Sequence, residues 1–229
     1  MNGITNMPER KSVVILGKGE QAIRIAQWFQ RSPAYELTCV VPVVPEPDWT
    51  DSLIGWCEEE GVPHVASGDF RDIPGADSDA WQVDLAFSVF YSKILPLRFI
   101  ERAQRCLNLH NAPLPKYRGI APINWALKNN ESMHGVTIHE IEPQVDAGPI
   151  VAQVCFSIHP DTDDVIDVYR RALAYGYLLF EQTMPILDQI HPRGQDDGEA
   201  SYYTRRDYDR LGDRRDFTRE KSLDTAGCN

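Results

Sequence analysis

Apolar and polar residues alternate with two different periods along the first half of the chain. Five short runs have the β-branched, apolar character of strands: residues 13–16, 37–44, 62–65, 83–89 and 106–110. Three of the stretches between them space their apolar residues as helices do: residues 21–30, 49–60 and 97–105. Strands that alternate with helices at this pitch predict βαβ units, and therefore an α/β fold with a doubly wound, mostly parallel sheet.

The second half of the chain extends this core and then changes character. The pattern predicts a helix with proline in its first turn, two strands around an irregular loop, and a long helix, at residues 122–129, 135–141, 150–158 and 165–187. Beyond them, charged residues become frequent and apolar residues scarce. We therefore predict one Rossmann-like core over residues 1–190 and a short C-terminal extension over residues 191–229, whose last residues are expected to be disordered.

The predicted strand at residues 106–110 ends in a polar pair, Asn108 and His110. Side chains two positions apart on a strand project from the same face. The strand should stop there because Pro113 and Pro115 cannot continue a ladder. The carboxyl edge of an open α/β sheet is where ligands bind, so we expect the amide and the imidazole to line a site.

A carboxylate in the loop between the next two strands can reach the same edge. Asp146 lies in the sequence VDAGP, where Gly148 gives the backbone freedom. Together with Asn108 and His110 it would supply an amide donor, a titratable base and a carboxylate that orients the base. No serine or cysteine stands in an elbow motif nearby, so we expect the substrate to supply the nucleophile. Taken singly, each of these residues is more often structural.

A glycine-containing turn follows the first predicted strand. Residues 17–22, GKGEQA, match the G-x-G-x-x-A pattern of dinucleotide-binding sites, in the strand-to-helix context that the pattern requires. An NAD-dependent oxidoreductase is therefore one interpretation. That class also needs a carboxylate at the end of the second strand, whereas this strand runs through VVPVV and Glu46 comes only after a further proline. We favour the alternative, a tight βα turn that binds no cofactor.

Composition limits the classes of ligand and the cellular compartment that are expected for this protein. The formal charge of −11 disfavours nucleic acid as a ligand. The five cysteines are scattered, with no C-x-x-C spacing, so the sequence predicts neither a disulfide framework nor a zinc site and no metal ligands are assigned. The N-terminal residues lack the apolar region of a signal peptide, and no run has the length of a membrane span. A cytoplasmic protein with no membrane partner is expected.

Between residues 84 and 153 the chain resembles the folate-dependent formyltransferases, which transfer a formyl group from N10-formyltetrahydrofolate to an amine. The resemblance is carried by Asn108, His110, LPKYRG at 114–119, GVTIH at 135–139 and DAGPIVAQ at 146–153. It implies a parallel sheet covered by helices on both sides, N10-formyltetrahydrofolate as formyl donor, and a catalytic triad of Asn108, His110 and Asp146. It also implies that two loops hold the pterin, through Tyr91, Ser92, Lys93, Ile94, Leu95, Ile141, Glu142, Pro143, Gln144 and Val145.

Within that family, the run RGIAPINWALKNNESMHGVTIH resembles enzymes that formylate nucleotide-linked amino sugars. This likeness implies such a sugar as acceptor, and a homodimer is compatible with it. Glycinamide ribonucleotide and methionyl-tRNA are alternative acceptors; enzymes for the first usually lack the Arg-Gly pair at 118–119, and enzymes for the second carry a long C-terminal RNA-binding barrel. Candidate acceptor contacts are Lys116, Arg118, Tyr203 and Arg205, all of which are also explained as surface or ion-paired residues.

Overall fold

A six-stranded sheet forms the centre of the protein in a computed structural model that describes residues 10–215. The strands of that part of the chain are β1 (Lys11–Gly17), β2 (Tyr35–Pro42), β3 (Val83–Val89), β4 (Ala103–His110), β5 (Arg118–Gly119), β6 (Met133–Glu140), β7 (Ile150–Ser157) and β8 (Tyr202–Tyr203). The sheet order is β2-β1-β3-β4-β6-β7, and β5 and β8 pair separately. The first four strands of that order are mutually parallel, β6 is antiparallel to β4, and β7 is antiparallel to β6 and so runs in the same direction as the first four. The predicted mostly parallel α/β sheet is confirmed.

Helices connect the strands and cover the sheet. They are α1 (Gly19–Arg31), α2 (Leu53–Glu60), α3 (Leu97–Ile100), α4 (Pro122–Lys128) and α5 (Val165–Thr183). Short 3-10 segments lie at Phe70–Asp72, Met184–Gln189, Asp197–Glu199 and Arg205–Arg215. Within residues 10–215, no helix is both long enough and apolar enough to cross a membrane. The predicted disorder from residue 221 onward, like Cys228, falls outside the described residues.

The predicted helix at residues 97–105 is wrong in its second half. Helix α3 ends at Ile100, and the chain has already entered β4 at Ala103. Ala103 pairs with Val83 of β3, and Arg105 pairs with Leu85. Because this parallel ladder and its central position in the sheet stabilise the extended backbone, they outweigh the helical spacing of the apolar residues.

The predicted strand at residues 62–65 is also wrong, because only His64 forms an isolated bridge, to Val40 of β2. The predicted helix at 49–60 begins later, at Leu53. Ser52 caps that helix by accepting the N–H of Gly55 at 2.8 Å. The Glu46 carboxylate accepts the N–H groups of Leu53 and Ile54 at 2.7 and 3.1 Å. Glu46, considered above as a ribose ligand, therefore caps α2 instead.

The glycine turn after β1 is filled by the protein itself. A Cβ on Gly17 would lie 2.4 Å from the carbonyl oxygen of Val89, and one on Gly19 would lie 2.5 Å from Oγ1 of Thr50. Gly19 also has a φ of 69°. These close contacts explain the two glycines without a dinucleotide.

The larger part of the core lies on the sheet face under α1 and α5. Phe180 of α5 packs on Phe29 of α1 and on Phe87 of β3, with ring centroids 5.4 and 5.3 Å apart. All three rings are fully buried. This packing fixes β3 and, beside it, β4, whose carboxyl end carries the candidate site.

Candidate active site

The carboxyl end of β4 presents Asn108 and His110, as the sequence predicts. Strand β4 ends at His110, and both side chains line one cavity. The antiparallel register with β6 sets Asn108 opposite His139 and His110 opposite Thr137. Nδ2 of Asn108 lies 3.2 Å from Nε2 of His139. A second imidazole therefore joins the predicted pair.

Asp146, in the loop between β6 and β7, is the point where these side chains converge. Its Oδ1 lies 3.4 Å from Nε2 of His139 and 3.5 Å from Nδ2 of Asn108. Its Oδ2 lies 3.7 Å from Nδ1 of His110 and accepts the N–H of Gly119 at 2.8 Å. The structure thus brings together the three residues of the predicted triad, and adds His139 and Gly119.

The surroundings of Asp146 keep its carboxylate charged. Burial alone would raise the pKa of this side chain, which is 12% exposed, but His110, His139 and the Gly119 N–H hold the pKa well below its ordinary value. Nε2 of His110 faces the carbonyl oxygen of Tyr117 at 2.9 Å and must donate to it. Nδ1 of His110 is therefore the ring nitrogen that faces Asp146.

Backbone geometry aims the Asp146 side chain. The residue has a φ of 52°, in the left-handed region. Two positions on, Gly148 lies so close to β6 that an added Cβ would be 2.0 Å from the carbonyl oxygen of Glu140. Only glycine fits at 148, and the close approach turns Asp146 toward β4.

These residues lie in a cavity of about 320 Å³. Most of the residues predicted for the pterin line it: Tyr91, Ser92, Lys93, Ile94, Leu95, Ile141, Glu142, Pro143 and Val145, but not Gln144. The two segments lie outside helices and strands. Their peptide groups are therefore free of a continuous sheet ladder and can face a ligand.

Of the four predicted acceptor contacts, the structure brings two to the cavity, Tyr203 and Arg205. Lys116 lies elsewhere, 3.9 Å from the Glu131 carboxylate. The Arg118 side chain is buried against the C-terminal extension and does not line the cavity.

The C-terminal extension folds back and forms one wall of the cavity. Strand β8 pairs with β5. The Tyr203 ring stacks on Trp125 of α4, with centroids 4.1 Å apart. Tyr202, whose side chain is mostly exposed, and Thr204 also line the cavity. Residues beyond 190 thus complete the pocket that begins at β4.

Sequence reasoning missed His139, Asn111, Tyr202 and Thr204. His139 stood in the GVTIH run, where strand alternation put it on the face of Thr137, but the register against β4 was not visible. Asn111 lines the cavity, is 1% exposed, and has no hydrogen-bond partner for either amide atom within the described residues. Its position directly after His110 was the only signal.

Comparisons with known proteins identify the family of this chain. Residues 67–183 match the sequence profile of a family described as formyl transferase. WlaRD, a sugar 3N-formyl transferase solved with dTDP and 5-N-formyl-THF, superposes with a TM-score of 0.72 at 25% identity, covering 86% of this chain and 70% of that one.

Two further solved structures share the fold. An N-formyltransferase from Helicobacter canadensis, in complex with folinic acid and dTDP-3-aminofucose, has a TM-score of 0.72 at 23% identity, covering 87% of this chain and 72% of that one. The formyltransferase PseJ from Anoxybacillus kamchatkensis, with UDP-4,6-dideoxy-4-formamido-L-AltNAc and tetrahydrofolate, has a TM-score of 0.62 at 23% identity, covering 95% and 97%. The chain therefore belongs to the formyl transferase family, whose enzymes are folate-dependent.

Proposed function

We propose that the enzyme transfers the formyl group of N10-formyltetrahydrofolate to the amino group of a nucleotide-linked amino sugar, giving a formamide and tetrahydrofolate. The observation that carries the proposal is the convergence of Asn108, His110 and Asp146 in one cavity. An amide donor, an imidazole and a charged carboxylate are the groups that acyl transfer to an amine requires.

The cavity suits a folate by its size and its walls. Its volume of about 320 Å³ is within the range of small-molecule sites. Irregular backbone on two sides, at residues 91–95 and 141–145, offers N–H and C=O groups to the edge of a flat heterocycle. We propose these two segments as the pterin site. Binding of a folate should slow hydrogen exchange in both; protection confined to residues 17–20 would contradict the assignment.

When bound, the folate supplies the formyl carbon that the acceptor amine attacks. Asn108 donates from Nδ2 to the formyl oxygen as negative charge develops there, a contact commonly worth about 3 kcal/mol in rate. Nδ1 of His110 lies 3.7 Å from Asp146, too far for a hydrogen bond between them. Since Nε2 donates to Tyr117, the proposed donor is the protonated imidazole, whose Nδ1–H can donate to the same formyl oxygen.

In this proposal, Asp146 assists the transfer of the proton that leaves the acceptor amine. The carboxylate stays charged because its neighbours lower its pKa, so it can accept a hydrogen bond from the amine and guide the amine's proton toward N10 of the folate. N10 would take up that proton as its bond to the formyl carbon breaks, which gives tetrahydrofolate and the formamide. Nδ1 of His139 faces the carbonyl oxygen of Glu140 at 2.7 Å and donates to it, which leaves Nε2 toward Asp146 and Asn108. Because one ring nitrogen cannot donate to Asp146 and accept from Asn108 at once, a protonated His139 is proposed to hold Asp146, by donating from Nε2 to Oδ1. Nδ2 of Asn108 is then left for the formyl oxygen.

The acceptor enters, in this proposal, along the wall made by the C-terminal extension. Tyr203 and Arg205 line the cavity there, and an arginine suits the phosphates of a nucleotide-linked sugar. The solved structures with dTDP-3-aminofucose and with a UDP-linked formamido sugar support this class. Lys116 and Arg118 are not part of the proposed contact set, because neither lines the cavity.

The test is incubation of the enzyme with N10-formyltetrahydrofolate and a panel of dTDP-, UDP- and GDP-linked 3-amino and 4-amino sugars, followed by mass spectrometry. Gain of one formyl group on a panel member supports the proposal and names the substrate. Glycinamide ribonucleotide and methionyl-tRNA belong in the panel as competing acceptors. Formylation of either, with no sugar modified, would overturn the sugar assignment while leaving the formyltransferase chemistry intact.

A further inference from the structure

The side chain of Gln195 joins two segments of the site that are far apart in sequence. Its Nε2 donates to the carbonyl oxygens of Asp146 at 2.8 Å and Gly148 at 2.7 Å. Its Oε1 accepts from Nε and Nη2 of Arg118 at 3.0 and 2.8 Å. Both N–H groups and both lone pairs of the amide are therefore used.

The two joined segments are those that meet at the Asp146 carboxylate. Gly119, next to Arg118, donates its N–H to Oδ2 of Asp146. Asp146 holds a left-handed φ of 52°. Such a conformation is strained for a non-glycine residue, so the loop needs contacts that hold it. The bonds from Gln195 to the carbonyl oxygens of residues 146 and 148 are contacts of this kind.

Gln195 is itself anchored. Two residues before it, Arg193 exchanges two backbone hydrogen bonds with Ile150 of β7, at 2.7 and 2.8 Å. Two residues after it, Asp197 lies 2.9 Å from Nη2 of Arg118. The Arg118 residue is 4% exposed, whereas the Asp197 side chain is 79% exposed. The buried guanidinium is thus held mainly by Gln195.

We infer that Gln195 and Arg118 form a clamp that positions Asp146 for formyl transfer. This inference rests on the proposed function. Neither side chain lines the cavity, so both act through Asp146, by fixing its loop and the Gly119 N–H at once. Arg118 is consequently a positioning residue and not an acceptor ligand. Gln195, which lies outside the residues 67–183 that match the family, would thus contribute to the active site.

The clamp makes a specific kinetic prediction. In Gln195→Leu, which keeps similar bulk but makes no hydrogen bonds, a small displacement of Asp146 should lower kcat by about tenfold to a hundredfold. The KM for each substrate should stay within about threefold, because binding residues are untouched. The acid limb of the pH–rate profile should move to higher pH, because Asp146 stays buried while it loses contacts that lower its pKa.

Two further variants separate positioning from simple folding. Arg118→Lys loses the planar pair of Nε and Nη2 donors that converge on Oε1 of Gln195, and should behave like Gln195→Leu. Asp197→Asn removes only the exposed partner of Arg118 and should leave kcat unchanged. Equal kcat and an unmoved pH profile in Gln195→Leu would overturn the clamp, as would a loss explained entirely by a higher KM.

Hydrogen exchange at Gly119 provides a readout that does not depend on activity. Its N–H is held by Asp146, so exchange at this amide should quicken in Gln195→Leu and not in Asp197→Asn. Unchanged exchange would refute the clamp. If the wild-type enzyme formylated no acceptor, the proposed function would fail, and Gly119 exchange would still decide whether Gln195 positions Asp146.

Discussion

Replacement of Asp146 by asparagine removes one charge and almost no volume. The proposed mechanism gives this carboxylate two tasks, to balance positive charge on the imidazoles and to accept a hydrogen bond from the acceptor amine. The new side chain keeps one oxygen, and this amide oxygen can still accept the N–H of Gly119. Asp146→Asn therefore tests the charge and leaves the loop contact in place.

The expected loss follows from the distance between the charges. Oδ2 of Asp146 lies 3.7 Å from Nδ1 of His110. With an effective dielectric constant of about 20, an imidazolium at that distance is stabilised by about 4 kcal/mol. If most of this stabilisation supports the protonated His110 that donates to the formyl oxygen, kcat should fall by about a hundredfold to a thousandfold.

The assay is the rate of tetrahydrofolate release at saturating concentrations of both substrates. The matched control is Asp163→Asn, another buried aspartate whose carboxylate pairs with Arg171 of α5. The control should lower the thermal midpoint and leave kcat unchanged, because Asp163 does not line the cavity. A kcat within about threefold of wild type in Asp146→Asn would refute the assigned role of the charge.

Three further predictions concern the structure around the site. Gly148→Ala should lower both stability and kcat, because the new Cβ would lie 2.0 Å from the carbonyl oxygen of Glu140. The control is Gly194→Ala, whose Cβ would meet nothing within 4 Å. Thermal melts and kinetics that were alike for the two variants would contradict this prediction. His134 is fully buried, and burial lowers its pKa from 6.5 to about 4. Below pH 6.5 the unfolded chain therefore binds a proton on His134, whereas the folded chain stays unprotonated there until about pH 4. The free energy of unfolding should fall by about 3 kcal/mol as pH drops from about 6.5 to about 4. Denaturant titrations should show a shallower decline in His134→Gln; an equal decline would assign the effect to other groups. Tyr203→Leu should lose about 1 kcal/mol of stacking on Trp125 that Tyr203→Phe retains, as measured by chemical unfolding, and equal losses would argue against stacking.

Local patterns predict the parts of the fold that local forces decide. Strand β4 and the projection of Asn108 and His110 from one face follow from a period of two and from the prolines that end the run. Helix α4 begins at the predicted proline. By contrast, the predicted helix at 97–105 fails because pairing with β3 imposes an extended backbone from Ala103 onward.

The parts of the site that the sequence did not predict depend on contacts between residues far apart along the chain. His139 reaches Asn108 through the register of two antiparallel strands, which no local pattern encodes. Arg118 is predicted as an acceptor contact because a free guanidinium suits phosphate. Its partner, Gln195, lies 77 positions further along the chain, and no local pattern indicates that the guanidinium is already engaged.

The pairing of β5 with β8 has a consequence for the order of assembly. The N–H of Tyr117 donates to Oγ of Ser201, 84 positions away. Closing a flexible loop of that length costs about 4 kcal/mol in chain entropy, which a ladder of two residues does not offset alone. The part of the C-terminal extension that forms the cavity wall should therefore dock only after the central sheet has formed and has brought residues 117 and 201 close together. During synthesis, a nascent chain that stops short of residue 201 would hold the sheet and the Asn108–His110 edge but no finished cavity, so the ability to bind ligand arrives as one of the last events of folding.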